Sequence, residues 1–252
     1  LKKTIVIFSV ISLVNFLKKN RSNILITSMT HTNVVAILIK MFFLPKLKVI
    51  IRESNTISIK AKDNKEIKNY FLHYLVKTFY QKADVIIAPT KVIKNDLIKN
   101  YNIKKNNITV INNPYDFKEI YLKSKEIIKV KEKKFFKNPF ILSVGRLNSQ
   151  KNYELLIRIF YHIIKDKKFK NYKLFILGDG REKEKLNKLI NDCGLKNKAY
   201  LLGFKENPYK FMKKCKLFIL SSKYEGHSNV LVHSQILNNK ILASHAYGAN
   251  KE

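Results

Sequence analysis

The sequence contains few of the residues that mark small scaffold proteins or fibrous proteins. Its two cysteines, Cys193 and Cys215, form no motif, lack the spacing of zinc ligands and suit a reducing cytosol. Seven glycines and five prolines among 252 residues exclude a fibrous or linker-like chain. With 46% hydrophobic residues, the chain can instead bury the core of one large domain or two small ones.

Long uninterrupted apolar runs are also missing. The run Ile5–Leu17 is broken by Ser9, Ser12 and Asn15, and it is shorter than the roughly 20 residues that a membrane-spanning helix needs. No small-residue cleavage site of a signal peptide follows it. We therefore expect an amphipathic core helix in this region.

Acidic residues are scarce, since 18 Asp and Glu stand against 50 Lys and Arg, a formal net charge of +32. Such a charge should attract polyanions: nucleic acid, anionic lipid headgroups or phosphorylated substrates. The abundant lysine, asparagine and isoleucine are equally expected from an AT-rich genome, so the charge alone selects no partner. No nucleic-acid recognition motif is present, and the aromatics lie in amphipathic stripes, so no specific nucleic acid is expected.

Short apolar runs alternate with helical patterns along the first half of the chain. Continuous β-branched runs of this kind are typical of parallel strands that are covered on both faces. The alternation predicts right-handed strand–helix–strand units and a parallel sheet. The predicted strands are Asn23–Ser28, Lys48–Glu53, Asp84–Ala88 and Ile108–Ile111, and the predicted helices are Glu66–Lys82 and Lys91–Tyr101, the latter capped by Thr90.

The second half repeats this alternation. The fold class is therefore α/β, with two Rossmann-like parallel-sheet lobes: an incomplete lobe over 1–116, a lysine-rich linker without a clean period over 117–138, and a second lobe over 139–252. The predicted strands here are Phe140–Val144, Lys173–Leu177, Ala199–Leu202, Leu217–Leu220 and Lys240–Ser244, and the predicted helices are Asn152–Lys165, Glu182–Cys193 and Ser228–Leu237.

Glycines and charged residues follow three of the strands in the second half. In open α/β sheets, ligands bind at the carboxyl ends of the strands, so these residues should meet in one crevice. A guanidinium, an ammonium and a helix N-terminus that converge there form a good diphosphate site. Each residue alone is ordinary, and their order after consecutive strands carries the prediction. They are Gly145, Arg146 and Lys151, then Gly178, Asp179 and Gly180, then Glu225, Gly226, Ser228 and Asn229.

At this point the sequence resembles a known family. The stretches 140-FILSVGRLNSQKNYELLI-157, 174-LFILGDGREKEKL-186, 201-LLGF-204 and 217-LFILSSKYEGHSNVLV-232 resemble the donor half of the family-4, group-1 retaining glycosyltransferases. The stretches 49-VIIRESN-55 and 83-ADVIIAPTKVIKNDLIKNYNIKKNNITVINNPYD-116 resemble the acceptor lobe of that family. The resemblance covers nearly the whole chain and implies a GT-B fold.

The resemblance implies transfer of a sugar, with retained configuration, from a nucleotide-diphosphate sugar to an acceptor hydroxyl. The donor is expected to be a UDP-sugar, and the acceptor a glycan or lipid-linked glycan in cell-envelope polysaccharide, lipopolysaccharide or glycoprotein glycan synthesis. No metal or other cofactor is expected. By the same resemblance, Arg146 and Lys151 hold the diphosphate and neutralise the leaving group, and Glu225 contacts the donor sugar.

Further residues follow from the resemblance position by position. Backbone amides from Gly226 to Val230 would face the phosphates, and Gly145 and Gly180 would let the backbone approach the ligand. The full donor-binding set is Gly145, Gly178, Asp179, Gly180, Phe204, Tyr224, Gly226, Ser228, Asn229, Val230 and His233, and the acceptor-side set is Arg52, Glu53 and Asn55.

The chain departs from the family pattern in two places. The family signature E-x7-E begins at Glu225 and would place a ribose-gripping glutamate at position 233, where this chain has His233. An imidazole lacks the bidentate grip of a carboxylate. The site is therefore altered but working, degenerate, or affected by a sequence error, and a weakened or degenerate site is favoured. The chain also begins and ends inside the family pattern, which predicts a fragment or the remnant of a broken gene.

Three hypotheses for the function follow. The first is a cytoplasmic transferase held on the inner face of the membrane by the basic face of the first lobe, at about 1 kcal/mol per well-placed Lys or Arg. The second is a catalytically dead fragment or scaffold subunit, and the third is a polyanion-binding basic module. A metal site is not predicted, because His227, His233 and His245 are spaced by six and twelve residues and do not share a helix face.

Overall fold

A computed structural model describes residues 2–59, 67–128 and 130–246. The chain divides into two compact units, the first extending to Asn113 and the second beginning at Pro114. Each unit contains one parallel sheet flanked by helices. The predicted fold class, α/β with two Rossmann-like lobes, is confirmed.

The first unit contains a four-stranded parallel sheet in the order β1-β2-β3-β4. The sheet forms because its strands are short apolar runs, and Val49 and Ile51 of the second strand are fully buried. Its elements are α1 (Lys2–Lys19), β1 (Ile24–Ser28), α2 (Thr30–Phe42), β2 (Lys48–Arg52), α3 (Ile67–Phe79), β3 (Val85–Ala88), α4 (Lys91–Tyr101) and β4 (Ile108–Val110).

Helix boundaries in this unit follow local chemistry. Thr90 caps α4, since its hydroxyl accepts a hydrogen bond from the amide of Ile93 at 3.2 Å, as predicted. The predicted core helix near the start of the chain is α1, and it buries Val14 and Leu17. Helix α2 is not predicted from the sequence, because its apolar run is continuous and periodicity cannot separate such a helix from a buried strand.

The second unit contains a five-stranded parallel sheet in the order β7-β6-β5-β8-β9. Strand β5 lies between β6 and β8, so the order of connection reverses beside it, and ligands bind at such a switch point. The elements are α5 (Phe117–Ser124), β5 (Phe140–Val144), α6 (Tyr153–Ile163), β6 (Lys173–Leu177), α7 (Lys183–Asp192), β7 (Ala199–Leu201), α8 (Tyr209–Met212), β8 (Leu217–Leu220), α9 (Asn229–Ile236) and β9 (Ile241–Ala243).

The segment 117–138 differs from the predicted linker. It contains helix α5 and a 3-10 segment, Val130–Phe136, and it packs on the second unit. The Phe136 ring lies 5.0 Å from that of Phe211, and the buried Glu132 pairs with Lys210 at 2.7 Å. The lysines conceal the helical period in the sequence, whereas the apolar side chains between them cover one face of the sheet.

Candidate active site

A buried ion pair lies at the carboxyl ends of β5 and β8. The ammonium of Lys151 is 2.5 Å from Oε1 of Glu225, and the two side chains are 14% and 8% exposed. The hydroxyl of Ser222 donates to the same carboxylate oxygen at 2.6 Å. The structure therefore joins two of the three predicted catalytic residues, which are 74 positions apart in the sequence.

The loops that carry this pair are bonded to each other. Ser221 Oγ donates to the carbonyl oxygen of Lys151 at 2.7 Å, and Gln150 Nε2 donates to that of Tyr224 at 3.0 Å. In return, the amide of Lys223 donates to the carbonyl oxygen of Gln150 at 2.8 Å. These bonds hold the β5–α6 loop against the β8–α9 loop, so the ion pair has a fixed support.

The glycines of the site allow neighbouring loops to pack closely against each other. A Cβ atom on Gly178 would lie 1.9 Å from the carbonyl oxygen of Gly145, and one on Gly180 would lie 2.4 Å from that of Leu147. A Cβ on Gly145 would meet Lys151 Cε at 2.9 Å. The β5 and β6 loops thus approach each other at backbone distance, which only glycine allows. The expected ligand contacts of Gly145, Gly178 and Gly180 remain predictions beside this packing role.

A cavity of about 550 Å³ opens beside these loops. Arg146 lies on its wall with an exposed side chain, and in the described part of the chain no carboxylate lies within 4.0 Å of its guanidinium. Phe204 is 77% exposed, which is unusual for an aromatic ring and leaves its face open to a ligand. Seven of the predicted residues line the cavity: Gly145, Arg146, Gly178, Asp179, Phe204, Val230 and His233.

Asp179 is bonded within its own turn, and its predicted contact with the donor stays a prediction. Its carboxylate accepts from the amide of Gly180 at 2.8 Å and lies 3.3 Å from the ammonium of Lys183. These two contacts lower the pKa of Asp179, the backbone bond most strongly. The side chain stabilises the turn into α7.

The N-cap residue of α9 has a buried hydroxyl without a hydrogen-bond partner among the described residues. This residue is Ser228, and its hydroxyl caps no amide. Buried hydroxyls are normally paired, so this one is suited to a ligand oxygen. Tyr224 and Gly226 of the preceding loop are also buried.

Tyr115 positions the β8–α9 loop, although it is not among the site residues predicted from the sequence. Its hydroxyl lies 2.5 Å from Nε2 of His227 and donates to Oδ1 of Asn229 at 2.8 Å. Its ring also meets the imidazole of His233 edge-on, with centroids 5.6 Å apart. Only its place in the motif NNPYD could have drawn attention to it, because the contacts join residues more than 110 positions apart.

The imidazole of His233 is half-buried between two tyrosine rings, Tyr115 and Tyr209. Burial lowers its pKa below the ordinary value of 6.5, because the charged imidazolium would lose contact with water. At neutral pH the ring is therefore uncharged, with one donor and one acceptor nitrogen. It lines the cavity together with Val230, one helical turn from the start of α9.

The three predicted acceptor-side residues lie together at the carboxyl end of β2 in the first unit. Glu53 is 0% exposed, its Oε2 accepts from the hydroxyl of Tyr80 at 2.7 Å, and its Oε1 accepts from the amide of Asn55 at 3.2 Å. Arg52 and Asn55 are only partly buried. The buried carboxylate of Glu53 therefore holds the backbone of Asn55 in place. Its partner Tyr80 was not predicted from the sequence.

No group of three or more His, Cys, Asp and Glu among the described residues is arranged to hold a metal ion. The expectation that the reaction needs no metal stays a prediction. In the same part of the chain, no helix combines the length and the apolar character needed to cross a bilayer.

Further residues of the site are not predicted from the sequence. Ser222 follows β8 directly and bonds Glu225, and a polar residue in that place was a usable signal. Lys205 and Glu206 line the cavity from the loop after β7, and Tyr209 lines it from the start of α8, but no motif marks these positions.

Two parallel-sheet lobes, with cation-bearing loops at the carboxyl ends of the second sheet, define a protein of GT-B architecture. Family comparison agrees: residues 124–252 match the family "Glycosyl transferases group 1", and residues 2–119 match "Glycosyltransferase Family 4". The chain therefore belongs to the group 1 glycosyltransferases.

One similar protein is the N-acetylgalactosamine-N,N'-diacetylbacillosaminyl-diphospho-undecaprenol 4-alpha-N-acetylgalactosaminyltransferase of Campylobacter jejuni. It is 37% identical over 206 residues, which cover 82% of this chain and 53% of that protein. The chain thus spans about half the length of this relative.

Two solved structures share the fold. Anabaena HepE in complex with UDP-glucose superposes with a TM-score of 0.77 at 19% identity, covering 95% of this chain and 64% of HepE. Staphylococcus aureus TarM in complex with UDP superposes with a TM-score of 0.71 at 21% identity, covering 94% of this chain and 45% of TarM.

Proposed function

We propose that this protein transfers a sugar from a UDP-sugar to an acceptor hydroxyl with retained configuration at the anomeric carbon. The observation that carries the proposal is the buried ion pair of Lys151 and Glu225 at the switch point of the second sheet. The hydroxyl of Ser222 donates a hydrogen bond to the carboxylate of this pair. A cation and a carboxylate held side by side suit a donor whose diphosphate is negative and whose sugar is rich in hydroxyls.

In this proposal, Lys151 and Arg146 stabilise the diphosphate as its bond to the anomeric carbon breaks. Lys151 gives one of its three N–H donors to Glu225, so two remain for phosphate oxygens. Preorganised charges of this kind act on the negative charge that develops on the leaving group. The second oxygen of Glu225 is then directed at the sugar hydroxyls, and Ser228 bonds a phosphate oxygen.

The nucleoside is proposed to occupy the cavity next to this pair. Phe204 offers an exposed aromatic face for the base, and Tyr209 lines the same space. Gly178 and Val230 complete its wall, and His233 faces the ribose. Because that imidazole is neutral and half-buried, it bonds one ribose hydroxyl rather than two.

The acceptor is proposed to be a lipid-linked glycan at the cytoplasmic face of the cell membrane, within cell-envelope glycan synthesis. The name of the Campylobacter relative includes a diphospho-undecaprenol acceptor, and this supports the proposal. The excess of 50 basic over 18 acidic residues supports attraction to anionic lipid. Arg52 and Asn55 would face this acceptor.

Removal of Arg146 tests the transferase proposal. We expect Arg146→Ala to lower the rate of UDP release from a UDP-sugar by about 100-fold, the usual loss of one charge-stabilising donor. The matched control is Arg158→Ala, which removes an equally charged residue from an exposed pair with Glu154 on α6. UDP release is measured with and without acceptor, and equal rates in both variants contradict the proposal.

The His233→Glu substitution tests the ribose contact. We expect the carboxylate to bind two ribose hydroxyls and to tighten UDP binding by about 10-fold, measured by calorimetry. His233→Gln is the control, because it keeps a polar side chain without the charge. No gain from the glutamate would show that this histidine does not stand in a ribose site.

A second candidate function rests on the same residue. Since His233 replaces the ribose-gripping carboxylate of the family pattern, the protein would bind a partner without catalysing transfer. The two candidates differ in one measurement: the non-catalytic subunit releases no UDP from any UDP-sugar, with or without the glutamate at position 233.

A further inference from the structure

Arg52 extends from the carboxyl end of β2 across the edge of the first sheet. Its Nη2 donates to Oδ1 of Asn113 at 2.5 Å, three residues beyond β4. Its Nη1 lies 3.4 Å from Oγ of Ser28, the last residue of β1. One guanidinium therefore contacts the ends of strands on both sides of β2, and both contacts are to neutral groups.

The charge of Arg52 is not compensated within the part of the chain that the structure describes. No carboxylate there lies within 4.0 Å of its guanidinium. The adjacent Glu53 is turned inward, where the hydroxyl of Tyr80 and the amide of Asn55 bond its two oxygens. A guanidinium has five N–H donors, so those not used by Asn113 and Ser28 remain for an anion.

The backbone that carries Arg52 is held rigidly. Nδ2 of the fully buried Asn33 donates to the carbonyl oxygen of Arg52 at 3.0 Å, and Thr27 Oγ1 donates to Oδ1 of Asn33 at 2.8 Å. Burial, and then the nearby carboxylate of Glu53, raise the pKa of Tyr80, so its hydroxyl stays protonated and keeps donating. A buried network that holds a half-exposed cation is preorganised for a ligand.

We propose that Arg52, with Ser28 and Asn113, forms an oxyanion-binding subsite at the carboxyl edge of the first sheet. The ligand is a phosphate or carboxylate group, which matches the planar fork of a guanidinium with two parallel hydrogen bonds. Given the proposed function, this group belongs to the acceptor, as the diphosphate of a lipid carrier or the carboxylate of an acidic sugar. Arg52 is thereby a residue that selects anionic over neutral acceptors.

The first test is anion binding measured at the site itself. Inorganic diphosphate is titrated into the labelled protein, and the amide resonances of Ser28 and Asn113 report this subsite, while that of Gly145 reports the second unit. We expect Arg52→Gln to raise the dissociation constant measured from the Ser28 and Asn113 amides by about 10-fold or more. The constant measured from the Gly145 amide should stay unchanged.

A matched control separates a built site from the general attraction of a basic protein. Arg21 is exposed in the turn before β1, so it lies at the amino end of that strand, whereas Ser28 lies at its carboxyl end, about 13 Å from Ile24. Arg21→Gln removes the same charge and should change neither constant by more than about twofold. Equal weakening by both substitutions, or none by Arg52→Gln, overturns the proposal.

Arg52→Lys keeps the charge and loses the planar fork. It therefore keeps the proposal testable if Arg52→Gln fails to fold. We expect it to weaken diphosphate binding by several-fold while circular dichroism is unchanged. If Arg52→Lys binds diphosphate with native affinity, the proposal that the planar guanidinium binds the anion is overturned.

The two sources of the anion are separated by transfer assays with a prenyl diphosphate-linked sugar, a glucuronide and a neutral glycoside. A rise in KM confined to the first assigns the lipid diphosphate, and one confined to the second assigns the acidic sugar. Equal rises for all three acceptors overturn the selective role. UDP release by the native protein is measured without acceptor in the same series, so failure of the transferase proposal would be visible separately.

Discussion

Replacing Lys151 with Met is expected to lower the free energy of unfolding by about 3 kcal/mol and to abolish measurable sugar transfer. The substitution leaves Glu225 charged in a place where it is 8% exposed, with Ser222 as a remaining donor. Removing one partner of a buried ion pair is costly because the other charge stays out of water. The expected loss of transfer follows from the loss of a preorganised cation at the proposed diphosphate site.

A double-mutant cycle separates these two effects. Glu225→Gln in the Lys151→Met background leaves two uncharged side chains of similar volume, so we expect the free energy of unfolding to return to within about 1 kcal/mol of the native value. Sugar transfer should stay absent, because neither the cation nor the carboxylate is restored. Stability and activity thus respond differently to the second substitution.

The measurements are urea unfolding curves and UDP release rates for the native protein, both single variants and the double variant. Lys183→Met is the control, since it removes a lysine from an exposed pair with Asp179 and should change stability by less than about 0.5 kcal/mol. Transfer at the native rate in Lys151→Met is the result that overturns the assignment of this lysine.

Replacing Gly178 with Ala is expected to cost about 4 kcal/mol or more, a large part of the stability of a domain. This glycine has φ of +139°, and a Cβ there would lie 1.9 Å from the carbonyl oxygen of Gly145. The obstacle is backbone, so no side-chain rotation relieves it. The β5 and β6 loops would have to separate, and the cavity that Gly145 and Gly178 both line would change shape.

Gly203→Ala is the matched control for this substitution. Gly203 also has a positive φ, +71°, but nothing lies within 4 Å of the position that a Cβ would occupy. It should cost only the conformational strain of about 1–2 kcal/mol. Urea unfolding of the two variants and UDP binding by each give the comparison, and equal costs would show that the backbone contact at Gly178 relaxes freely.

The strands of the second unit show how much local pattern can predict. The bounds of β5, β6 and β8 agree with the predicted ranges, because each is a mostly apolar run followed by glycine or serine. Ligands bind at the carboxyl ends of parallel strands, so the edge on which the candidate site lies could be predicted, whereas the strand order comes from the structure.

The segment 117–138 shows where local pattern was insufficient. Lysine-rich sequence without a clean period is typical of a linker, yet Phe135 and Phe136 pack against the buried rings of Phe175 and Phe211. Whether an aromatic residue in such a segment is exposed depends on the surface beside it in space. That surface combines Phe140 of the adjacent strand β5 with Phe175 and Phe211, which lie more than 30 positions away in the chain.

By itself, the sequence determined the fold class, the family and the residues at the ends of the strands. These depend on the order of short motifs, and each motif specifies its own conformation through apolar runs, caps and glycine turns. Arg146, Lys151 and Glu225 could be named for that reason.

Only the tertiary structure decided which groups meet. It pairs Lys151 with Glu225, fixes the β8–α9 loop through Tyr115, and turns the carboxylate of Glu53 inward towards Tyr80. The physical reason is that hydrogen bonds and ion pairs between distant residues depend on distances of about 3 Å. Local sequence patterns carry no information about such distances, because the distances are set only when the folded sheets bring the strand ends together.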